Sequence, residues 1–211
     1  MNKLEIKRFT SKMLGANTYI LYNNGHGIVV DPCTKISIIK EFCNSNGIKI
    51  NQIILTHCHI DHTLYLQEYL DEFNTIFAIH ENGNILNQDE NLNGARLFGL
   101  RKSFGPADIL LKDGSEFEIG SFNVRIIATP GHSPGSICLY SDNLLISGDT
   151  LFNLSIGRSD LPGGNQEQLM NSLKKISDLP DDTIIYPGHG TFSTIKFEKG
   201  NNPYLNFPTI I

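Results

Sequence analysis

The densest chemistry in the chain lies in Thr56-His57-Cys58-His59-Ile60-Asp61-His62, where three imidazoles and a carboxylate share six positions. An H-x-H-x-D-H string arises by chance in roughly one such chain in a few thousand. In an extended segment residues i and i+2 face the same side, so His57 and His59 can grip one metal ion. If the chain turns into a helix near Asp61, then Asp61 and His62 swing toward a neighbouring point, which gives ligands for two adjacent sites. A mixed His and carboxylate set suits Zn2+ first, and also Fe or Mn. Ligands this local cannot close two coordination spheres, so more must come from elsewhere. Thr129-Pro130-Gly131-His132-Ser133-Pro134-Gly135 presents His132 on a turn stiffened by prolines and freed by glycines. Ser147-Gly148-Asp149-Thr150 puts Asp149 directly after an apolar strand, where a carboxylate needs a strong partner. Tyr186-Pro187-Gly188-His189-Gly190 delivers another His from a strand end. Five of the seven His are then used, with Asp61 and Asp149.

The elements that must position these residues alternate without a linker. Strands are expected over 3–9, 17–23, 27–31 and 51–55, the last running straight toward His57. Helices are expected over 34–46, stopped by Gly47, and over 62–72, followed by a strand over 75–79. Residues 81–107 are rich in Asn and Gly and read as a long, partly helical excursion, a length more often functional than filler. Strands then crowd at 108–111, 115–118, 122–128, 136–140 and 143–147. Asn165 suits a helix N-cap, with Leu169, Leu173 and Ile176 as an apolar stripe; Pro180 ends that helix and 183–186 is a last strand. A faint symmetry pairs Ile28-Val29-Val30-Asp31 with Leu145-Ile146-Ser147-Gly148-Asp149. It also pairs Thr56-His57 with Thr129-Pro130-Gly131-His132. Two β-rich halves packed face to face, with helices outside, would account for it.

Composition narrows the function classes. The 211 residues suffice for one sizeable domain, and 40% hydrophobic with 18% charged describes an ordinary globular core. Seventeen Lys and Arg against 22 Asp and Glu give a net charge of -5, which argues against a nucleic-acid footprint. No apolar run approaches ~18 residues, so no membrane span is expected. The opening Met-Asn-Lys-Leu-Glu-Ile-Lys-Arg lacks the apolar stretch of a signal peptide. Four Cys without close-set spacing fit reduced thiols, hence a cytoplasmic location. Oligomeric state is not encoded in any of these patterns.

The His and Asp strings, in this order, resemble the metallo-β-lactamase superfamily, from Asn17 to Asn202-Pro203-Tyr204-Leu205. The resemblance implies an α+β fold, a four-layer αββα sandwich with a metal site at one edge, as a single catalytic domain over residues 1–211. It implies one divalent ion on His57, His59 and His132, a second on Asp61, His62 and His189, and Asp149 bridging both. Gly148-Asp149-Thr150-Leu151-Phe152 and Ser155-Ile156-Gly157-Arg158-Ser159-Asp160-Leu161-Pro162-Gly163-Gly164 are similar to short bacterial hydrolases grouped with glyoxalase II, the hydroxyacylglutathione hydrolases. That similarity implies hydrolysis of a small-molecule acyl thioester of the S-lactoylglutathione kind. Two ions roughly 3.5–4 Å apart would share a hydroxide, with Asp61 orienting the nucleophile and no Ser or Cys nucleophile needed. Full-length glyoxalase II adds a C-terminal helical domain that helps hold glutathione, whereas about twenty residues follow His189 here. Gly157-Arg158-Ser159-Asp160 also resembles the persulfide dioxygenases, which would imply a single Fe(II) on His57, His132 and Asp149. The superfamily's true β-lactamases fill the bridging position of Asp149 differently.

The remaining polar residues have plainer readings. His26 and His80 fall outside any ligand spacing and read as structural or solvent-facing. Cys58 alternates away from its His neighbours and reads as a core thiol. Cys33, Cys43 and Cys138 lie in or beside apolar segments, Cys33 where the family commonly has Gly. Asp31 suits either an acceptor that orients a ligand His or a turn residue before Pro32. Arg158 and Asp160 read as an ion pair beneath the site, ahead of an Arg158 that faces an anionic substrate group. Leu97, Phe98 and Phe104 read as core packing of the excursion, and only secondarily as a substrate wall.

Overall fold

The computed structural model describes residues 3–205. The first half contains β1 (Glu5–Thr10), β2 (Asn17–Asn23), β3 (His26–Val30), α1 (Ile36–Asn46), β4 (Lys49–Ile54), α2 (Ile60–Thr63), α3 (Leu66–Phe73), β5 (Phe77–His80) and α4 (Glu81–Asn87). A 3-10 turn (Ala95–Phe98) and β6 (Ile109–Leu111) follow. The second half contains β7 (Glu116–Ile119), β8 (Phe122–Ala128), β9 (Ile137–Ser141), β10 (Leu144–Gly148), β11 (Leu151–Phe152) and β12 (Ser155–Ile156). It closes with α5 (Gln166–Ser177), β13 (Ile184–Pro187), β14 (Ser193–Thr194) and α6 (Ile195–Asn201). Among the described residues no helix is long and apolar enough to cross a membrane.

The period-two alternation of strand side chains sorts the apolar residues into three layers. Tyr19 and Leu21 of β2 point between the two sheets and meet Val124, Ile126, Leu139 and Ile146 of the second sheet. Ile20, between them in sequence, points the other way and packs under Ile39 and Cys43 of α1 and Tyr69 of α3. In the second sheet Ile127, Cys138 and Leu145 face outward, beneath Leu169, Leu173 and Ile176 of α5 and Ile195 of α6. The layer order is therefore helix, sheet, sheet, helix.

Sheet one runs in the order β1-β2-β3-β4-β5-β6 and sheet two in the order β14-β13-β10-β9-β8-β7. β3 and β4 are parallel, as are β10 and β13. β8 and β10 each run antiparallel to β9, so they point the same way. Within each sheet, then, the reactive residues all follow C-terminal strand ends on one edge. Asp31 and the His57 segment come from sheet one; His132, Asp149 and His189 come from sheet two. The symmetry is real for β3 and β10 but differs in its second half. β4 lies parallel beside β3 as β13 lies beside β10, so the His57 strand corresponds to the His189 strand and not to that of His132.

Local signals explain the boundaries. Gly47 takes φ 62 to stop α1, and the Asn165 side chain accepts the Gln168 N–H at 2.9 Å to start α5. The helix expected over 62–72 is two helices, because the Tyr65 N–H leaves the helical ladder and donates to Pro32 O at 3.0 Å. β11, β12, β14 and α6 were not anticipated; each is short, and the strand pairs run for two residues only.

Candidate metal centre

Each site residue is carried by an element whose backbone has another reason to be there. His57 and His59 follow β4, and Asp61 and His62 ride on α2, whose first N–H, that of Ile60, donates to Asn93 O at 2.9 Å. His132 follows β8, Asp149 follows β10, and His189 follows β13 on a Pro-Gly turn. Two glycines permit the approach of the two sheets. Gly148 has φ +48, and a Cβ there would lie 2.6 Å from Thr56 Oγ1. A Cβ on Gly188 would lie 2.1 Å from Asp149 Oδ1 and 2.7 Å from His62 Cε1.

All seven side chains singled out by the motif spacing converge at this edge. His59 Nδ1 and His132 Nε2 are 2.8 Å apart, and the ring of His57 lies 4.8 and 4.9 Å from theirs. His62 Nε2 lies 3.2 Å from His189 Nε2, and Asp61 Oδ2 lies 3.3 Å from the latter. Asp149 stands between the groups. Its Oδ1 is 3.2 Å from His62 Nε2, and its Oδ2 is 3.6 Å from both His132 Nε2 and His189 Nε2. Neighbouring donors around a tetrahedral ion with arms near 2.1 Å sit about 3.4 Å apart, close to these spacings.

The hydrogen bonds behind the rings decide which nitrogen faces inward. His132 Nδ1 lies 2.7 Å from the carbonyl of Arg158, which can only accept, so Nδ1 carries the proton and Nε2 presents a lone pair. The single hydroxyl proton of Thr56 is given to Asp31 Oδ2 at 2.7 Å. Its oxygen therefore accepts from His57 Nδ1 at 3.0 Å. His62 Nδ1 donates to Asp31 Oδ2 at 2.8 Å. Asp31 thus acts in both of the ways its sequence position suggested. It takes φ 55 before Pro32, and it orients His62 directly and His57 through Thr56. The fully buried His57 Nε2 has no hydrogen-bond partner, and neither does the buried Asp149 Oδ1, while His59 turns Nδ1 to the same point. Unpartnered buried donor atoms around one point are what a cation would satisfy. The donor set fits divalent ions.

The charge balance agrees. Burial drives the pKa of His57 well below its ordinary value and that of His59 down to about 3, so both are neutral donors. Burial acts the same way on His62, but Asp149, Asp61 and Asp31 together outweigh it and raise its pKa. Burial opposes ionisation of Asp149, yet His62, His132 and His189 hold it below the usual carboxylate range. Burial is outweighed at Asp61 too, chiefly by His62.

A cleft of about 390 Å³ opens onto His59, Asp61, His132, Asp149 and His189. A larger cavity of about 490 Å³ lies at β1 and touches none of them. Two expectations need correcting here. Leu97 and Phe98 are exposed and line the cleft, and only Phe104 joins the core, because the 3-10 turn faces the site instead of the helices. Arg158 and Asp160 do pair, at 2.6 and 2.7 Å, but at the exposed rim and not beneath the site. What lies against the site is the backbone carbonyl of Arg158.

A sequence model of the metallo-beta-lactamase superfamily matches residues 12–189. The chain belongs to that superfamily. It is 37% identical over 195 residues to the probable metallo-hydrolase YqgX of Bacillus subtilis strain 168, covering 90% of this chain and 92% of that one. Among solved structures, the BLEG-1 B3 metallo-beta-lactamase superposes with a TM-score of 0.91 at 35% identity, covering 96% of this chain and all (100%) of that one. TTHA1623, solved in a di-iron-bound form, gives a TM-score of 0.84 at 30% identity, over 94% of this chain and 100% of that one. The sandwich fold expected of a superfamily member is the one observed.

Other residues fall as follows. His80 is buried and its Nδ1 accepts the Asn82 N–H at 3.2 Å, capping α4, while His26 is exposed and 3.3 Å from Asn51 Oδ1. Cys58 is fully buried in the helix-side core. Cys33 is buried with Sγ 3.1 Å from Thr18 Oγ1, and the positive φ of that turn falls on Asp31. Two residues near the site carried no motif, Asn93 and Glu198. Asn93 is fully buried beside the cleft, and Glu198 is fully buried behind the β11–β12 hairpin. An Asn before Gly94 reads as an ordinary turn, and a lone Glu on a helix reads as solvent-facing, so neither gave a signal.

Proposed function

We propose that the chain is a metal-dependent hydrolase acting on acyl thioesters, of the glyoxalase II kind, with two divalent ions. His57, His59 and His132 would hold one, Asp61, His62 and His189 the other, and Asp149 would bridge them. Zn2+ suits the donors; the di-iron form of TTHA1623 makes iron the second candidate. The observation that carries the reading is the set of tautomers. Three imidazoles have Nδ1–H committed to protein acceptors, which leaves Nε2 of each for a cation. Such ions, when bound, lower the pKa of water and polarise a carbonyl.

The chain's own residues do the rest. Asp61, at the cleft floor, can accept a proton from the attacking water and hold it in line. Thr56 and Asp31 keep the rings from turning. The apolar side chains of the cleft keep bulk water from the reacting carbonyl. Among the described residues no Ser or Cys side chain lines the cleft, and attack by water needs none.

Elemental analysis of freshly purified protein, with thioester hydrolysis and oxygen uptake measured in parallel, tests this. Two ions per chain with hydrolysis is the expected result. One iron with oxygen uptake on glutathione persulfide would overturn it in favour of a dioxygenase. The likeness to a protein named a B3 metallo-beta-lactamase makes β-lactam hydrolysis the second reading, with nitrocefin turnover as its assay. Asp149→Asn should lose metal and activity together; full activity with normal metal content would sink the bridging role.

A further inference from the structure

The cleft has two apolar walls, and neither belongs to the donor set. On one side Leu97 and Phe98 stand 68% and 50% exposed on the 3-10 turn. On the other are Phe152 and Ile156 of the β11–β12 hairpin, with Leu161 beyond them. Large apolar side chains gathered at a cleft mouth mark a surface that a ligand covers.

Both walls are pinned. Buried Asn93 accepts the Ala95 N–H at 2.9 Å and donates to Lys102 O at 3.0 Å. Its own carbonyl accepts from Ile60, the residue between His59 and Asp61, at 2.9 Å. One residue, through its side chain and its backbone carbonyl, therefore ties the first wall to the metal-binding helix. The second wall hangs from α6. Buried Glu198 accepts the Leu154 N–H at 2.9 Å at the tip of the hairpin, and also the Ser193 hydroxyl. Asn202 donates to Glu198 at 2.8 Å and to Ser155 O at 3.1 Å. A carboxylate this deeply buried, bonded to the hairpin tip on one side and to residues flanking its own helix on the other, is a positioning group for Phe152 and Ile156.

Charge completes the picture. Among the described residues, imidazoles aside, the one basic residue on the cleft is Arg158, and two of its five N–H donors are held by Asp160. An arm carrying carboxylates would leave water at this surface and compete with Asp160 for that single guanidinium. Lys12 and Lys35 line a separate cavity that shares no residue with the cleft.

We infer that the cleft takes substrates whose arm beyond the reacting carbonyl is uncharged and apolar, gripped between Leu97 and Phe98 and the Phe152–Ile156 wall, and that it discriminates against glutathione thioesters. The inference rests on the thioester reading and departs from the glyoxalase II pattern in one respect: the reaction is the same, but glutathione is not the favoured thiol half.

Calorimetric titration of the metal-loaded chain with two non-hydrolysable thioethers tests it: S-hexyl-N-acetylcysteamine, which is neutral, and S-hexylglutathione, which carries two carboxylates. The neutral probe should bind at least about tenfold more tightly, and Phe98→Ala or Phe152→Ala should each weaken it by about tenfold at unchanged metal content. Equal or tighter binding of S-hexylglutathione, no binding of either probe, or indifference to both substitutions would overturn the inference. Affinity is read without turnover. A chain that hydrolyses no thioester would sink the proposed reaction, while the order of the two affinities would still judge the cleft.

Discussion

Replacing Asp31 by Asn separates the orienting role of this residue from its place in the turn. Asp31 takes φ 55, a conformation Asn adopts readily, so the backbone should be undisturbed. The hydrogen bonds are another matter. Oδ1 accepts the Thr56 N–H at 2.7 Å, and Oδ2 accepts both the Thr56 hydroxyl at 2.7 Å and His62 Nδ1–H at 2.8 Å. An amide oxygen can keep the first, but its NH2 group then faces two donors. His62 can answer only by moving its proton to Nε2, the atom that faces His189 and Asp149. A ring protonated there cannot ligate. Bonds to a buried charged group contribute about 1.5–3 kcal/mol each, and partial rearrangement leaves a net loss of about 3 kcal/mol. At about 2–4 °C per kcal/mol for a chain of this size, the unfolding temperature should fall by about 6–12 °C. Affinity for the ion on Asp61, His62 and His189 should drop about 10–100-fold, the usual cost of losing an orienting carboxylate. Thermal unfolding of the metal-free protein reads the first number, and competition with a chelator of known affinity reads the second. A change under about 1 °C, together with two ions held as tightly as before, would refute the reasoning.

Four further outcomes follow from the same geometry. Gly188→Ala places a methyl against Asp149 Oδ1 and His62 Cε1, so metal content should fall while the fold, read by circular dichroism, persists; normal metal content would show that the strand end shifts freely. His62 holds a proton because three carboxylates surround it, so metal uptake must displace that proton, and affinity should weaken as pH falls below its raised pKa. Titrations in buffers of different ionisation enthalpy would reveal the released proton, and pH-independent uptake would count against it. In the metal-free protein the same raised pKa adds stability that is fully present below the ordinary value of 6.5. That contribution is lost as pH rises through the folded-state pKa, so the metal-free unfolding temperature should decline there. Burial pushes the thiols of Cys33, Cys43 and Cys138 up to about 11 and that of Cys58 up to about 12. A disulfide reagent near pH 8 should therefore find no fast thiol in the native protein and four in guanidinium; one fast equivalent would contradict that burial.

The donor set was legible in the sequence because it is local. Four of its members occupy His57 to His62, and the other three each follow an apolar strand, so residue type and spacing alone point to them. The sandwich was legible through the order of the His and Asp strings, which resembles the superfamily, and through the likeness of residues 28–31 to residues 145–149. Tyr19-Ile20-Leu21 is apolar throughout, so its division between two cores emerges only from the packing. The strand pairing was not legible either. Thr56-His57 and Thr129-Pro130-Gly131-His132 look alike as strings, yet β4 corresponds to β13, because the match depends on which strand lies parallel beside β3 and β10. Direction within a sheet is a long-range property that no single strand records.

The substrate wall was hidden for a deeper physical reason. Leu97 and Phe98 have the composition of core residues, and a sequence cannot say whether an apolar side chain faces the interior or a cleft. What turns them outward is Asn93, whose side chain joins Ala95 and Lys102 and whose backbone carbonyl holds Ile60. The opposite wall depends on Glu198, forty-four positions from the Leu154 N–H it accepts. Both are polar residues removed from water to fix the position of apolar ones. That inverts the usual arrangement, in which apolar packing positions the polar chemistry. The donors need only a common strand edge to converge, whereas an apolar arm needs two surfaces held a fixed distance apart. Buried hydrogen bonds set such a distance more firmly than contacts among exposed side chains, so specificity here should respond to Asn93, at the edge of the cleft, and to Glu198, which lies behind the hairpin and outside the cleft lining.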